Sequence, residues 1–373
     1  MNVLWLSNVP SPYRVDFFNM LGERIKIKVL FERDTASDRD KNWTAGNYKN
    51  FEAIILNGIR TGADKALCLN ILRWLKKDNE QIIIISNYST PTGILAIEWL
   101  RFKRIPFAIQ ADGGFFKGGI GIKEKWKRHL ISSAKFWLSS GRHATKYFEA
   151  YGAKKDWIFE SPFSSIMTTD ILKNKPTVGK KQQLRQMLGI RGDKVAVSVG
   201  QFIHRKGFDV LIRAWSHMNP GYTLLIIGGG ELEPDLAEMI RKNSLENVLL
   251  LGFKPKEELY KYYTASDLFI LPTREDIWGL VINEAMAFGL PVITTDKCIA
   301  GMELIEDNKN GFIVEVENEA ELYKKVEFIL SHDDIREVMS EYSLNKIRNF
   351  TVEEMVKAHM AIFHEIINAS QMC

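Results

Sequence analysis

The chain has 373 residues, of which 46% are hydrophobic and 26% are charged. This composition excludes a disordered or fibrous protein, and the length predicts roughly two domains. The longest apolar runs, such as residues 82–85, are far shorter than the ~18 residues that a membrane-spanning helix needs. No secretory signal is recognisable at the start, and the three cysteines, Cys68, Cys298 and Cys373, are too far apart for a disulfide framework. We therefore expect a cytoplasmic protein, either free or held at the inner face of the membrane.

Charge is unevenly divided along the chain. The net charge is +4, but residues 1–165 contain 26 Lys and Arg against 16 Asp and Glu, whereas residues 166–373 contain 24 against 30. A basic half favours an anionic partner, such as nucleic acid, a phosphorylated substrate or an anionic membrane. The chain has no nucleic-acid recognition motif, which disfavours the first class. A lysine-rich, solvated surface accounts for the count equally well.

Short β-rich runs alternate with longer helical patterns in both halves, and this alternation predicts parallel α/β domains. In chain order, the predicted strands are at 2–6, 25–30, 53–56, 81–85, 106–109, 136–139, 195–199, 223–227, 248–251, 268–271, 292–294 and 312–314. The predicted helices are at 64–77, 93–104, 123–134, 208–217, 232–242, 256–264 and 280–288.

A stretch rich in Pro, Ser and Lys at 162–180 disfavours regular structure and predicts a domain boundary. We expect one domain at 1–165 and a second at 176–350. The apolar residues of 351–368 recur at helical spacing, which predicts a closing helix within 351–373. We expect this helix to pack back onto the first domain.

Residues that follow the predicted strands are candidates for chemistry, because open parallel sheets bind ligands at the carboxyl ends of their strands. In the second half these positions are rich in glycine, which lets a ligand approach the backbone closely, although any single glycine is more often part of a tight turn. The candidates of this kind are Gly200, Gln201, Gly229, Gly252 and Phe253.

The segment 267–295 predicts a strand, a loop, a helix and another strand. Gly279 lies at the helix start, so the free amides of Leu280 and its neighbours form a site suited to phosphate. Asp276 in the loop and Glu284 on the helix can flank one ligand and accept hydrogen bonds from sugar or ribose hydroxyls. Two solvated acids that favour the helix dipole are the alternative.

A cationic pair, Arg205 and Lys206, follows the predicted strand 195–199 and precedes a helix. In this loop both side chains are placed to neutralise a diphosphate. A solvated surface pair is the alternative for these two residues.

These motifs together resemble glycosyltransferase family 4. The resemblance rests on the acid-x7-acid element at 276–284, the segment 199–207, and the segment 224–231 with the later strand and loop at 248–253. It implies a retaining transferase that uses a nucleotide sugar and has the GT-B fold, in which two Rossmann-like domains with parallel sheets face a central cleft. It also implies that no metal and no other cofactor is needed, since cations and a helix terminus stabilise the diphosphate.

The resemblance also implies roles for individual residues. Asp276 would contact the donor sugar and Glu284 the ribose, Lys206 would bind phosphate, and the loop at 252–253 would border the base. The full donor-binding set is Gly200, Gln201, Arg205, Lys206, Gly229, Gly252, Phe253, Glu275, Asp276, Trp278, Gly279, Leu280 and Glu284.

Two departures from the family pattern leave these roles open. Gln201 stands where the family usually has a phosphate-binding Arg, so Arg205 is a candidate to replace it. Glu275 is adjacent to Asp276, and either carboxylate could meet the sugar.

The first half departs further, because the segment 7–14 has no glycine. Tyr13 and Arg14 either line the acceptor side or belong to a proline-shaped turn with a surface Arg. Asp112 is assigned the position of a family His that meets the donor sugar, with an Asp-Gly turn as the alternative. Asn87 and Tyr88 are further acceptor-side candidates. The expected catalytic residues are Asp112, Asp276, Lys206 and Arg205.

Two other features bear on partners. The Asp-x-Asp sequence at 38–40 is not at a strand end, so we do not expect it to bind metal. The segment 123–137 is basic and contains Trp126, which suits an anionic membrane or a polyprenyl-diphosphate acceptor. A solvated helix with Trp126 in the core is the alternative.

The sequence therefore predicts a hexosyltransferase that moves a sugar, most simply from a UDP-sugar, to a saccharide acceptor. A lipid-linked acceptor in cell-surface polysaccharide synthesis is expected. Two alternatives use the same donor-binding residues. A sugar-nucleotide 2-epimerase would form product without an acceptor, and a non-catalytic nucleotide-sugar-binding protein would bind donor tightly without Asp276.

Overall fold

The computed structural model describes residues 1–35, 47–77, 81–116, 118–119 and 121–371, so the Asp-x-Asp sequence at 38–40 lies outside the described residues. The chain divides into two compact units. Unit 1 consists of Met1–Ser165 with Thr351–Cys373, and unit 2 consists of Ile166–Phe350. The chain thus leaves unit 1 at residue 165, before residue 176 where the sequence predicts the second domain to begin.

The strands are, in chain order, β1 (Asn2–Ser7), β2 (Lys26–Phe31), β3 (Glu52–Ile55), β4 (Ile59–Arg60), β5 (Ala66–Leu67), β6 (Gln81–Ile85), β7 (Ala108–Ala111), β8 (Phe136–Ser139), β9 (Ile158–Glu160), β10 (Lys194–Val199), β11 (Tyr222–Ile227), β12 (Val248–Leu251), β13 (Leu268–Leu271), β14 (Val292–Thr295) and β15 (Gly311–Val314). The α-helices are α1 (Pro12–Gly22), α2 (Pro91–Phe102), α3 (Ile122–Ile131), α4 (Arg142–Ala150), α5 (Val178–Met187), α6 (Phe208–Trp215), α7 (Glu233–Lys242), α8 (Lys256–Ala265), α9 (Leu280–Ala287), α10 (Ile299–Leu304), α11 (Glu319–Ser331), α12 (Asp333–Ile347) and α13 (Val352–Gln371). Short 3-10 turns lie at Leu69–Arg73, Lys155–Trp157, Thr168–Asp170 and His204–Lys206.

Unit 1 is built on a seven-stranded parallel sheet with the order β3-β2-β1-β6-β7-β8-β9. Its central strands are continuous apolar runs, such as the buried residues 82–85 of β6, because parallel strands are covered on both faces. The strand order reverses between β1 and β6. Open α/β sheets bind ligands at such a reversal, so the residues that follow β1, β6 and β7 form the candidate edge of this unit.

Unit 2 is built on a six-stranded parallel sheet with the order β12-β11-β10-β13-β14-β15. Here the order reverses between β10 and β13. The loops that follow these two strands carry Arg205 and Lys206 on one side and Glu275 and Asp276 on the other. The sheet topology therefore brings the predicted cations and acids to the same reversal point.

The closing helix α13 completes unit 1 by packing against α1 and β6. Its His359 is fully buried beside Trp5 and Phe17, with ring centroids 5.7 and 4.9 Å away. The ring nitrogen Nδ1 lies 2.8 Å from the Met355 carbonyl. Burial lowers the pKa of His359 to about 4, against the opposing effect of the Met355 bond, so a neutral imidazole is part of the core.

The twelve strands predicted from sequence all occur, with bounds shifted by up to two residues, but the predicted helix at 64–77 is wrong. This segment instead contains β5, which pairs antiparallel with the preceding strand β4, and a 3-10 turn. Its backbone donors have tertiary partners: the amide of Ala66 donates to the Glu32 carboxylate, and that of Cys68 to Thr92 Oγ1. These bonds replace the ones that a helix would make. The elements that the prediction does not name are β4, β5, β9, α1, α4, α5, α10, α11 and α12.

Candidate functional site

Two loops of unit 2 pack backbone against backbone at the reversal between β10 and β13. Gly207 ends the 3-10 turn at His204–Lys206 in the left-handed conformation, with φ of 68°. A Cβ atom at this position would lie 2.1 Å from the Pro272 carbonyl oxygen, so only glycine allows the approach. The loop that carries the cations is therefore fixed directly onto the loop that carries the acids.

The predicted cations and acids are in contact. Lys206 Nζ donates to Asp276 Oδ2, and these two residues are only 9% and 8% exposed. Arg205 Nη1 lies 3.5 Å from Asp276 Oδ1 and donates to the Glu275 carbonyl oxygen at 2.7 Å. Two cations thus meet one nearly buried carboxylate. In such a low-dielectric position, each charge depends strongly on its partners.

Helix α9 begins beside this cluster. Gly279 caps the helix with φ of 99°, and a Cβ atom there would lie 2.9 Å from Cys298 Sγ and 3.7 Å from Asp276 Oδ2. The positive end of the helix dipole is therefore adjacent to Asp276, and the first amides of the helix lie beside the cationic loop. A helix start next to Lys and Arg side chains is a site suited to phosphate.

Glu284 lies one turn inside α9 and is half-buried. Its Oε2 accepts a hydrogen bond of 3.1 Å from the hydroxyl of Tyr263, a residue that is completely buried on α8. Burial and the negative charge of Glu284 raise the pKa of Tyr263 well above its usual value, so the phenol remains a donor. Tyr263, which the sequence analysis missed, therefore fixes the orientation of the Glu284 carboxylate.

The edge of unit 1 contains a different ion pair. Arg14 lies in the first turn of α1 and is only 6% exposed, and its Nη2 donates to Asp112 Oδ2 at 2.5 Å. The guanidinium carbon lies 5.7 and 5.8 Å from the ring centroids of Tyr13 and Phe163. Burial opposes its charge, but Asp112 and Tyr13 outweigh this effect and raise the pKa of Arg14. The alternative of a surface Arg in a proline turn is wrong.

Asp112 follows β7, and about a fifth of its side chain is exposed. Its carbonyl oxygen accepts from Ser140 Oγ at 2.8 Å, while its carboxylate is oriented by Arg14. This residue therefore presents a paired carboxylate at the carboxyl edge of the sheet, rather than serving only as part of an Asp-Gly turn.

The other acceptor-side candidates, Asn87 and Tyr88, make contacts inside unit 1. Asn87 Nδ2 donates to Thr90 Oγ1 at 3.3 Å, next to the start of α2. The Tyr88 hydroxyl shares a hydrogen bond of 2.6 Å with the Tyr147 hydroxyl. Burial, followed by the effect of Tyr147, raises the pKa of Tyr88, so its hydroxyl remains protonated. Both side chains lie near the edge of the sheet, but each has an internal structural partner.

Helix α3 has an unusual surface. Ile122 is 77% exposed and Trp126 is 51% exposed, so the alternative in which Trp126 belongs to the core is wrong. Phe116, just before the helix, is 51% exposed. We call this the α3 surface, and its basic members are Lys123, Lys125, Lys127 and Arg128.

Comparison with known proteins identifies part of unit 2. Residues 180–346 match the family described as "Glycosyl transferases group 1". This segment is similar to a glycosyltransferase group 1 domain, and we refer to it as the group 1 domain. All the residues of the cation–acid cluster and of helix α9 lie inside this group 1 domain.

Relatives match over a similar length of the chain. An uncharacterised glycosyltransferase of Haemophilus influenzae is 30% identical over 170 residues, which is 44% of this chain and 47% of that protein. The Campylobacter jejuni enzyme named N-acetylgalactosamine-N,N'-diacetylbacillosaminyl-diphospho-undecaprenol 4-alpha-N-acetylgalactosaminyltransferase is 30% identical over 159 residues, or 42% of this chain and 43% of the enzyme. The chain thus spans about half the length of these curated relatives.

Solved structures match over nearly the whole chain. HepE of Anabaena, solved in complexes with UDP and with UDP-glucose, gives a TM-score of 0.77 in the UDP complex, at 17% identity, and the match covers 98% of this chain and 100% of HepE. At this identity the likeness shows the fold alone. The predicted α/β GT-B fold, with two parallel-sheet domains, is confirmed.

Within the group 1 domain, some predicted donor residues are placed differently from the cluster. The Trp278 side chain is 3% exposed and its Nε1 donates to Asn283 Oδ1 at 2.9 Å, so the indole is part of the core and only its backbone borders the helix start. The role of Trp278 in donor binding therefore stays a prediction that concerns its backbone. Gly252 and Phe253 follow β12, an edge strand, and are exposed.

The remaining glycines shape the loops around β10. The Gly200 amide donates to the Ile227 carbonyl, and the Gly229 carbonyl accepts from the Phe202 amide at 2.8 Å. These bonds join the loops after β10 and β11. Gln201, which stands where the family usually has Arg, is half-buried in this region.

Proposed function

We propose that the protein is a retaining glycosyltransferase that moves a sugar from a nucleotide-diphosphate sugar, most simply a UDP-sugar, to a saccharide acceptor. The observation that carries this proposal is the contact of Lys206 and Arg205 with Asp276 beside the start of α9. This arrangement offers two cations and helix amides to a diphosphate, with carboxylates nearby for hydroxyl groups. The UDP and UDP-glucose complexes of HepE support the choice of donor class.

In the proposed mechanism, positive charge stabilises the departing diphosphate. Lys206, Arg205 and the first amides of α9, from Gly279 and Leu280, would compensate the charge that develops on the leaving phosphate oxygens. Arg205 would take the role of the Arg that Gln201 replaces. Because these groups supply the charge compensation, we propose that transfer requires no metal or other cofactor.

The carboxylates of the group 1 domain would hold the sugar and the ribose. Asp276 would meet the donor sugar, with the adjacent Glu275 as the other candidate, and Glu284 would accept from the ribose hydroxyls. The acceptor would attack from the face of the leaving group, and its proton would pass to a phosphate oxygen. This retaining step requires no protein nucleophile.

The acceptor would bind to unit 1. Asp112, oriented by Arg14, is the proposed acceptor-side carboxylate, and Tyr13, Asn87 and Tyr88 lie on elements at the same edge of the sheet. A lipid-linked saccharide of a cell-surface pathway fits the basic charge of residues 1–165. The name of the Campylobacter jejuni relative, which includes a diphospho-undecaprenol acceptor, supports this class.

The α3 surface would hold the enzyme at an anionic membrane, on its cytoplasmic side. Exposed apolar residues among lysines are typical of peripheral membrane contacts. No helix in the described part of the chain is both long and apolar enough to cross a membrane.

The first experiment measures donor binding and turnover by the purified full chain. UDP-, GDP- and ADP-sugars are titrated calorimetrically, with and without EDTA, and release of nucleoside diphosphate is followed without acceptor. We expect saturable binding of one donor, unaffected by EDTA, with slow nucleoside diphosphate release. Binding of none of them would contradict the proposal. A new sugar nucleotide formed without acceptor would instead indicate a 2-epimerase.

A second variant separates transfer from simple binding. Asp276→Asn removes the negative charge of the cluster while keeping the shape of the side chain. We expect it to lose transfer to a saccharide acceptor, with NMR of the wild-type product showing retained anomeric configuration. Tight donor binding with no turnover in the wild type as well would indicate a non-catalytic nucleotide-sugar-binding protein.

Membrane contact is tested by co-sedimentation with vesicles of phosphatidylcholine alone or mixed with phosphatidylglycerol. Wild-type protein should sediment with the anionic vesicles only, and the double variant Ile122→Ser/Trp126→Ser should sediment much less. Val338→Ser is the matched control, because Val338 is 66% exposed on α12 in unit 2. Equal sedimentation of the double variant and the wild type would contradict a role for the α3 surface.

A further inference from the structure

Arg274 makes an unusual number of bonds for a residue in a short loop. Its Nη1 donates to the His204 carbonyl oxygen at 2.7 Å and to Asp209 Oδ1 at 2.8 Å, and its Nη2 donates to Asp209 Oδ2 at 2.7 Å. Its Nε donates to Glu317 Oε1, and its amide donates to the Arg205 carbonyl oxygen at 2.8 Å. One side chain thereby joins the loop after β13, the loop after β10, the start of α6 and the residues before α11.

The bonds of Arg274 and its neighbour converge on the backbone of the cationic turn. Thr273 Oγ1 donates to the Arg205 carbonyl oxygen at 2.9 Å, and the Thr273 carbonyl accepts from Thr295 Oγ1 at 2.6 Å. The carbonyls of His204 and Arg205 are thus both held from the loop that continues into Glu275 and Asp276. Lys206, the next residue along, takes its position from these two anchored carbonyls.

The carboxylate of Asp209 stays ionised and remains bonded to Arg274. Burial opposes its ionisation, but the hydrogen bonds and charges of Arg274 and Arg213 outweigh that effect and lower the pKa of Asp209 to about 2. The bidentate Arg274–Asp209 pair therefore persists at all physiological pH values, and its planar geometry fixes direction as well as distance.

The turn that carries Lys206 has little stability of its own. It is a 3-10 turn of three residues, and its internal bonds are those from the Lys206 amide to the Ile203 carbonyl and from the Gly207 amide to the His204 carbonyl. Short 3-10 segments have poor hydrogen-bond geometry, so tertiary contacts decide where they lie. Arg274 supplies such a contact from the same loop that carries the acids.

We propose that Arg274 is a positioning residue that fixes Lys206 and Arg205 relative to Asp276, so that both halves of the diphosphate site are held as one rigid unit. This inference rests on the proposed function, because its effect is measured as sugar transfer. Arg274 acts through other residues and its own guanidinium is already bonded to Asp209, Glu317 and His204. Displacement of a positioned group by about 1 Å can reduce a rate by about a hundredfold.

The test compares Arg274→Gln, Arg274→Lys and Asp209→Asn with the control Arg336→Gln in the full chain. Arg336 is the matched residue, because it also bonds two backbone carbonyls, those of Ile329 and Leu330, and one acid, Asp333, in unit 2 but on α12. Its side chain is 12% exposed, against 15% for Arg274. Each variant is measured for melting temperature, kcat and donor KM.

We expect Arg274→Gln to lower kcat by about tenfold or more, with donor KM changed by less than about threefold, because the transition state depends most on the position of Lys206. Arg274→Lys should recover only part of kcat, since Lys lacks the planar fork. Asp209→Asn, which keeps Arg274 bonded to His204, should cause a smaller loss. Arg336→Gln should lower the melting temperature without lowering kcat.

The inference would be overturned if Arg274→Gln and Arg336→Gln lost kcat in the same proportion to their loss of melting temperature. It would also be overturned if Arg274→Gln changed KM alone. If Arg274→Gln does not fold, Arg274→Lys and Asp209→Asn give the same comparison. If the wild type is active and Arg274→Gln, Arg274→Lys and Asp209→Asn all have its kcat, only the role of Arg274 is overturned. A wild type that binds no donor overturns the proposed function and this inference with it.

Discussion

The two sheets have the same parallel plan, but the charged groups at their reversal points are held in different ways. In unit 2, Lys206 and Asp276 come from two loops that are fastened to each other through backbone bonds. In unit 1, Arg14 comes from a helix and Asp112 from the end of a strand, so their pair joins two rigid elements.

The surroundings of these pairs differ as well. Unit 2 surrounds its cluster with further ion pairs, such as Arg274 with Asp209, that lower acid pKa values. In unit 1, by contrast, burial favours the neutral form of two titratable side chains. It raises the pKa of Glu32 to about 7 and lowers that of His359 to about 4. Unit 2 is therefore organised around fixed charge, whereas in unit 1 burial favours the neutral forms of Glu32 and His359.

The largest expected effect comes from removing the central cation of unit 2. Lys206→Met should lower kcat for sugar transfer by about 10²–10³-fold, because the variant loses the buried charge that we propose stabilises the leaving group. Lys181→Met is the control, since Lys181 also pairs with a buried acid, Asp267, at 3.0 Å. Steady-state kinetics should show a loss in the first variant only. Equal kcat values for the two variants would contradict a role for Lys206 beyond that of an ordinary buried ion pair.

The corresponding change in unit 1 should act on stability. Arg14→Met leaves the partly buried Asp112 carboxylate without its cation, which we expect to cost about 3 kcal/mol in the free energy of unfolding. Adding Asp112→Asn removes the uncompensated charge and should restore part of that loss. Urea unfolding followed by tryptophan fluorescence measures both. A double variant no more stable than Arg14→Met would show that packing, rather than charge, sets the cost.

The pH dependence of stability sharpens the same comparison. Burial raises the pKa of Glu32 from 4.5 to about 7, so the unit 1 contribution of this group is present below pH 4.5 and is lost as pH rises to about 7. Burial lowers the pKa of His359 from 6.5 to about 4, so its contribution is lost as pH falls through that window. The two effects oppose each other between about pH 4.5 and 6.5.

Glu32→Gln should therefore remove the opposing effect of Glu32, so that only the pH dependence due to His359 remains. Unfolding experiments on this variant should show stability rising with pH from about 4 to 6.5. The size of the change should be about 2 kcal/mol over this range. Glu306→Gln in unit 2 is the control, because bonds from Lys346, Lys309 and Tyr342 lower the pKa of Glu306 to about 2. It should change the overall stability without changing the slope above about pH 5.5, because the contribution of Glu306 is lost only as pH falls through about 4.5 towards 2. An unchanged slope in Glu32→Gln would contradict the assignment.

The smallest effect concerns the start of α9. Gly279→Ala forces a side chain into a left-handed position beside Cys298 Sγ, at a cost of about 1–2 kcal/mol. Gly179 in α5 is the matched control: an added Cβ there meets no atom within 4 Å, so Gly179→Ala should be neutral or stabilising by up to about 1 kcal/mol. Thermal melting compares the two. Equal melting temperatures would show that the backbone at Gly279 relaxes.

The sequence predicted the strands well because buried parallel strands are apolar runs, as in 82–85 and 268–271, which local pattern alone reveals. It also indicated which loops carry charge, since Arg205, Lys206 and Asp276 follow such strands. The prediction of a helix at 64–77 was wrong because the backbone amides of this segment bond to Glu32 and Thr92, which lie far away in sequence.

Contacts between distant segments also explain what the site prediction missed. The sequence around Arg14 does not indicate whether its side chain is exposed or buried. The contact with Asp112, which depends on the position of α1, decides this. Tyr263 carried no signal, because a tyrosine on a helix is ordinary until its hydroxyl is seen to meet Glu284.

The return of the chain to unit 1 has a consequence for its synthesis. Unit 2 is one continuous segment and can fold as soon as it leaves the ribosome, whereas unit 1 needs residues 352–371, which are made after all of unit 2. Until α13 is made, the side chains of Trp5 and Phe17 lack the His359 ring that packs against them. The first sheet to be translated is therefore the last to be finished, and nascent chains stalled before residue 352 should be the ones that chaperones retain.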